Sequence, residues 1–221
     1  MQQFPVTITS ESTRPMPTDL TPEILTRTPS IATATLHLPD NQRALLRLQR
    51  PTDRWILGRY FLSLKPATRN IYAPHPFDMA TAHQLCAATD YSQILRFIAV
   101  ADVGGEVRII AYFLLELGVL DGDRRHYDAL DMPLRDDEDT ALAPSVADAY
   151  QSRGVGSLIL PHVFDLARRL GRKRVVLWGG TREDNHRAVH FYEKFGFVKV
   201  GEFQITRGDT VINNYNMILD L

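Results

Sequence analysis

The chain reads as a mixed α/β or α+β domain over about residues 31–221, preceded by an arm over 1–30. Three observations predict this. Short runs rich in β-branched and aromatic residues alternate apolar and polar positions, as half-buried strands do. Helix-length segments lie between them, and two of these end on a glycine just past the last turn, Gly171 and Gly196. Strand-like and helix-like segments interleave along the region, which suits helices packed on a sheet.

The arm holds Pro5, Pro15, Pro17, Pro22 and Pro29. Proline fixes φ and removes a donor, so no long helix or central strand is expected before residue 31. Ile31 to Leu38 alternates as a strand, Pro39-Asp40-Asn41 turns, and Ala44 to Leu48 returns. Thr52 or Asp53 is placed to cap a helix from about Trp55 to Leu64. Pro74-His75-Pro76 is a loop, and Phe77 to Thr89 reads as a second helix. Ile94–Asp102 and Glu106–Leu117 flank Gly104-Gly105, a hairpin signal.

Residues 121–139 carry eight acids and only Arg124, Arg125 and Arg135 as counter-charge. The segment reads as a solvated loop, with attraction of a cationic substrate as its functional reading. Ala141 to Ala147 is a short strand in which Pro144 requires an edge or a bulge. A glycine-rich turn leads into a helix from about Val155 to Leu170, with Pro161 inside it. Val175–Trp178 is a buried strand, and Asp184 or Asn185 caps a helix ending near Phe195. Phe197–Ile205 and Val211–Leu219 are the closing strands.

Composition bounds the function. The 221 residues are 44% hydrophobic and 23% charged, an ordinary globular balance. Lys+Arg of 25 against Asp+Glu of 26 gives a net charge of −1, with no global positive field for nucleic acid. Cys86 is the single cysteine, so no internal disulfide or multi-cysteine zinc site forms. The opening residues lack a basic n-region and an apolar h-region, and the longest apolar run, Ile109–Leu115, is far short of a membrane span. A cytoplasmic protein with no membrane and no nucleic-acid partner is expected.

The chemistry lies in two segments. Gln151-Ser152-Arg153-Gly154-Val155-Gly156-Ser157 joins a strand to a helix, and free N–H groups at a helix start favour an anion such as a pyrophosphate. No Gly-Lys-Ser/Thr follows, so it is no Walker loop. Further on, Asn185 and Tyr192 lie seven apart, nearly on one helix face, with Ala188 between them. A tyrosine hydroxyl is a neutral donor near pH 7, suited to protonating a leaving thiolate.

Gln-x-x-Gly-x-Gly at 151–156 followed by Asn-x-x-Ala-x-x-Phe-Tyr-x-x-x-Gly-Phe at 185–197 resembles the GNAT superfamily of acetyl-CoA-dependent N-acyltransferases. The resemblance covers about residues 43–220 in element order. Within the superfamily, residues 46–66 and 146–151 look most like stand-alone relatives of the bacterial protein-lysine acetyltransferase domain. The resemblance implies a central, mixed, mostly antiparallel sheet flanked by about four helices. It implies that Arg153, Gly154, Val155, Gly156 and Ser157 cradle the CoA pyrophosphate, with Gln151 opening the motif. Ser145, Val146 and Ala147 would hold the pantetheine arm, the N–H near Val146 would polarise the thioester carbonyl, and Asn185 would touch the pantetheine end. Tyr192 would protonate the CoA sulfur.

Many relatives carry a strand glutamate as general base where this chain has Ala141, so Glu116 and Glu138 are the possible bases. The expected activity is direct transfer of an acetyl group from acetyl-CoA to an unidentified amine, with no metal. The alternative is a non-catalytic acyl-CoA-binding or sensing module. His186 and His190 lack a third ligand at a useful spacing, and Cys86 sits in an apolar helix as an inert thiol.

Overall fold

The computed structural model describes residues 20–221 apart from Ala73; the expected arm therefore lies mostly outside the described residues. Its described part is not separate from the domain. A short helix α1 (Pro22–Arg27) is capped by Thr21, and Leu20 and Leu25 are buried in the main core. Leu20 and Leu25 thus pack into the core although they precede residue 31.

Nine strands form one sheet: β1 (Ala34–His37), β2 (Arg43–Leu48), β3 (Ile94–Val103), β4 (Glu106–Glu116), β5 (Asp139–Val146), β6 (Arg174–Leu177), β7 (Thr181–Arg182), β8 (Val198–Arg207) and β9 (Thr210–Asp220). β1 to β5 follow one another as antiparallel neighbours, then β5 and β6 run parallel. β9 pairs with β6 and β7, and with β8 on its other edge. The β3–β4 hairpin turns through Gly104 and Gly105, both at positive φ, as a two-residue turn of matching twist requires.

Besides α1, the helices are α2 (Arg54–Ser63), α3 (Pro66–Ile71), α4 (Met79–Ala87), α5 (Asp121–Asp128), α6 (Val155–Arg169) and α7 (His186–Lys194). That makes seven among the described residues, against about four expected. α5 is the instructive addition, since it lies in the segment read as a solvated loop. Tyr127 anchors it, buried and donating to the Met217 carbonyl at 2.8 Å. The acids after it are mostly neutralised: Asp136 by Arg124, Asp137 by Arg135, Glu138 by Lys173 and Asp139 by Arg174.

Strand alternation divides the apolar side chains between two faces. Phe113, Leu115, Leu142, Val175 and Leu177 pack toward α6 and Tyr192. Tyr112, Leu114 and Ala143 pack toward α2 and α4, and Ala141 and Val176 pack toward Tyr127 of α5. Asp53 does not cap α2 through its side chain; it accepts both guanidinium nitrogens of Arg47 at 2.7 Å and the Arg50 N–H at 2.6 Å. Pro161 sits on the exposed side of α6, which continues through it from Val155 to Arg169.

The parallel pair is fastened at its start. Asp139 is fully buried and accepts Arg174 Nε at 2.7 Å, Arg174 Nη2 at 2.6 Å and the Arg135 N–H at 2.6 Å. Removing one partner from such a pair strands a buried charge. Arg174→Met is expected to lower unfolding free energy by ~3–5 kcal/mol, with much of it recovered in Arg174→Met/Asp139→Leu. Urea denaturation of the single and double variants measures this.

Candidate active site

The site begins where the parallel ladder stops. β5 and β6 pair from Asp139↔Arg174 to Leu142↔Leu177, and Trp178 donates a last bond to the Leu142 carbonyl at 3.0 Å. Beyond this the strands part. Residue 144 is proline, so the edge of β5 that turns toward β6 has no donor there. On its other edge β5 stays paired with β4, and Ala147 donates to the Ile110 carbonyl at 2.9 Å. That bond makes Ala111/Val146 a non-hydrogen-bonded pair, so the Val146 N–H faces away from β4 and into the gap.

The gap opens into a cleft of about 1020 Å³. One wall is the glycine turn and the start of α6. Gly154 caps α6 at φ +79 with no side-chain cap, leaving the first-turn N–H groups of Val155, Gly156 and Ser157 as unspent donors. A Cβ on Gly154 would meet nothing within 4 Å, so the turn is open on that side. Gly156 serves another purpose: a Cβ there would lie 3.0 Å from Phe191 Cζ, so its bareness lets α7 pack on α6.

Gln151 donates to the Val146 carbonyl at 3.0 Å and to Thr68 Oγ1 at 3.3 Å, tying the turn to the strand and to α3. Ser145 is buried, its hydroxyl 2.8 Å from Tyr60 Oη. Asn185, not Asp184, caps α7, accepting the Ala188 N–H at 3.3 Å; Asp184 instead accepts Arg182 Nε at 2.8 Å. The Asn185 cap uses its carbonyl oxygen and leaves its amide N–H groups for the cleft. Tyr192 is 8% exposed, and among the described residues its hydroxyl has no hydrogen-bond partner. Burial raises its pKa well above the ordinary phenol range, so it stays protonated.

The cleft therefore brings together Ser145, Val146, Gln151, Asn185, Tyr192 and four of the five turn residues. Ala147 and Arg153 are not on its lining. The Ala147 N–H is spent on β4, and the Arg153 guanidinium lies over the Tyr150 ring at 5.3 Å. Glu116 and Glu138 are also off the lining. Glu116 pairs opposite Ala141, before the strands part, and Glu138 is bound to Lys173 at 2.6 Å. Ala141, at the usual base position, is fully buried.

Sequence reasoning missed two groups. Arg187, His190 and Lys194 line the cleft from one exposed stripe of α7. Their spacing of three and four carries the signal, though only His186 and His190 were weighed, as a metal pair. Among the described residues no group of three His, Cys, Asp or Glu is arranged to hold a metal ion. The second group is Asp123 and His126 of α5, on the opposite wall. Asp123 is 2% exposed and accepts the Gly179 N–H at 2.9 Å. Burial raises its pKa to about 6 against that one hydrogen bond. Cys86, 1% exposed with its pKa raised to about 11 by burial, is as inert as expected.

Residues 132–197 match the family model described as the acetyltransferase (GNAT) family. The chain is 27% identical over 140 residues to the acetyltransferase PA5475 of Pseudomonas aeruginosa, covering 62% of this chain and 67% of that one. Among solved structures it superposes on the GNAT domain of S. lividans PAT with a TM-score of 0.63 at 20% identity, covering 87% of this chain and 99% of that domain. Ribosomal-protein-S5-alanine acetyltransferase from Vibrio fischeri gives 0.63 at 13% identity, covering 85% and 96%. Mycobacterium smegmatis RimJ, solved with CoA-disulfide, gives 0.58 at 14%, covering 85% and 86%. These likenesses establish the fold.

The Asp123 shift has a sign that can be tested. The native state holds this proton up to about pH 6 and the unfolded chain only to its ordinary 3.8. Between these values the unfolded state binds fewer protons, so stability falls as pH rises and stays lower above 6. The difference is about 3 kcal/mol. Asp123→Asn is expected to raise Tm by several degrees at pH 7.5 and hardly at all at pH 4, read by calorimetry of the free protein.

Proposed function

The chain is a GNAT-superfamily acetyltransferase, and on that premise we propose that it moves an acetyl group from acetyl-CoA directly to a primary amine. The transfer is read as direct, with no covalent enzyme intermediate. The observation that carries the proposal is the parting of β5 and β6, which brings the unspent Val146 N–H, the open start of α6 and the unpartnered Tyr192 hydroxyl onto one cleft.

The residues suit the donor. The N–H groups at the start of α6, with the dipole behind them, are matched to a pyrophosphate. The cations Arg187 and Lys194 on the next helix add counter-charge for further phosphate. The Val146 N–H is oriented to polarise the thioester carbonyl, where a fixed donor stabilises developing negative charge. Asn185 offers its amide to the pantetheine end. Tyr192, neutral and buried, supplies the proton that the departing sulfur needs. The reading takes the enzyme to be cytoplasmic; among the described residues no helix is long and apolar enough to cross a membrane.

Two measurements test it. CoA is expected to raise Tm by mass action. Gly154→Asn keeps a residue that tolerates the left-handed conformation but puts a side chain on the open side of the turn, so CoA affinity should fall about tenfold, ~1.4 kcal/mol. Unchanged affinity in the folded variant would remove the turn from the donor site. Tyr192→Phe should lower kcat by roughly 10²–10⁴ while CoA affinity holds. The deficit should shrink with an acyl donor whose thiol leaves more easily. CoA binding with no acetylation of any amine would instead favour a binding or sensing module.

A further inference from the structure

The wall of the cleft opposite Tyr192 holds a carboxylate that the fold leaves without a cation. Asp123 is 2% exposed, and among the described residues its only donor is the Gly179 N–H, 2.9 Å from one oxygen and 3.3 Å from the other. The adjacent Arg124 turns outward to the Leu134 carbonyl and Asp136. An ionised carboxyl has room for about four donors, and burial without a counter-ion is costly. A cation entering the cleft supplies what is missing. The other acid on the lining, Asp148, is already committed, accepting the Lys65 N–H at 2.9 Å and Thr68 Oγ1 at 2.7 Å.

The surroundings limit which cation fits. Leu120, Trp178, Phe203, Ile205 and Ile212 also line the cleft and offer apolar surface. His126 stands one turn beyond Asp123, stacked on Phe203 with ring centroids 3.8 Å apart, and its buried Nδ1 has no partner. Apart from the committed Asp148, the other charges on the lining, Arg182, Arg187, Lys194 and Arg207, are positive and repel a second ammonium. Arg207 donates to the Asn70 carbonyl at 3.2 Å, tying the tip of β8 to α3 and narrowing the approach for a folded protein.

Resting on the acetyltransferase reading above, we propose that Asp123 binds the acceptor's ammonium group and takes its proton, and that the acceptor is a monoamine with an aromatic or branched apolar body. The ammonium gives one proton to the Asp123 carboxylate, which returns it to solvent. The freed lone pair attacks the acetyl carbonyl carbon, a C–N bond forms and the C–S bond breaks. The sulfur takes a proton from Tyr192, and the nitrogen's second proton restores the phenol. Overall, ammonium and thioester become amide, thiol and one proton.

The other groups around Asp123 do not compete for this role. On α5, Tyr127 is committed to the Met217 carbonyl, its pKa raised by burial, and burial and Arg125 lower His126 so that it is neutral at pH 7. Across the cleft Tyr72 and Tyr192 stay protonated, Arg174 is paired with Asp139, and Asn214 of β9 does not titrate. Asp123 itself ionises from about pH 6 upward, which leaves it a base at neutral pH.

The test uses the whole chain and three probes: 2-phenylethylamine, spermidine and a lysine peptide. With CoA present, 2-phenylethylamine should raise Tm in the wild type and not in Asp123→Asn, while the shift due to CoA persists in both. With acetyl-CoA, kcat/KM for 2-phenylethylamine should exceed that for the other two and fall roughly 10²–10⁴-fold in Asp123→Asn. The deficit should narrow as pH approaches the amine's own pKa, where neutral amine needs no base. Asp123→Glu should recover part of the rate. Wild-type kcat/KM and pH profile in folded Asp123→Asn would overturn the role of Asp123, and preference for spermidine or the peptide would overturn the acceptor class. Failure of CoA to bind the wild type would sink the acetyltransferase reading, whereas the amine's Tm shift without CoA would still report on Asp123 alone.

Discussion

The site depends on the point where one parallel ladder stops. A parallel pair such as β5 and β6 continues only while both strands stay extended and both edges can bond, and each side fails here. β6 turns away at Gly179 and Gly180, at φ +68 and +71, with Gly180 donating back to the Leu177 carbonyl. On β5, Pro144 removes the N–H that the next rung would use, two residues past the last paired position. The strands separate, and the edge that would have been ladder becomes binding surface with Val146 presenting its N–H. The cost to the sheet is small because β5 remains fully paired with β4 on its other side. The Asp139–Arg174 pair holds the closed end while the other end stays open.

Because the opening passes through the sheet, elements of both faces reach it. α6 and α7 bring the glycine turn, Asn185 and Tyr192 from one face; α3, α5 and the β8–β9 arm bring Tyr72, Asp123 and Phe203 from the other. The charges are distributed accordingly. Cations of α7 are exposed, where a phosphate keeps part of its hydration, while the carboxylate of α5 is almost fully buried, where a single partner matters more. On the proposed reading, a polyanionic donor and a cationic acceptor would meet fields of opposite sign.

How much of this was legible in the sequence follows from what is local. The glycine turn, the Asn185 cap and Tyr192 were readable because turn and cap chemistry is written within a few residues, and Pro144 announced an edge. Gly156 also leaves room for Phe191, a contact 35 positions away that no local pattern encodes. α5 was hidden by its acids: composition argued for a solvated loop, yet Leu120, Asp123 and Tyr127 recur at helical spacing, and that pattern was the available signal. Glu138 lies just upstream of β5 and Glu116 on the neighbouring strand β4, where the register puts it opposite Ala141, at the paired end of β5.

The placement of the two titrating groups completes the argument. An acid and a base that touch would exchange their proton and neutralise each other's function. Here the proposed acid and base come from opposite faces of the sheet and meet only across the cleft. Burial raises both pKa values, but with opposite consequences at neutral pH. A phenol pushed upward holds its proton more firmly and remains a donor. A carboxyl pushed up to about 6 remains ionised at pH 7 yet becomes a stronger base than an exposed aspartate. The same desolvation therefore prepares one group to give a proton and the other to take one, and the gap beside Pro144 is where those two environments face each other.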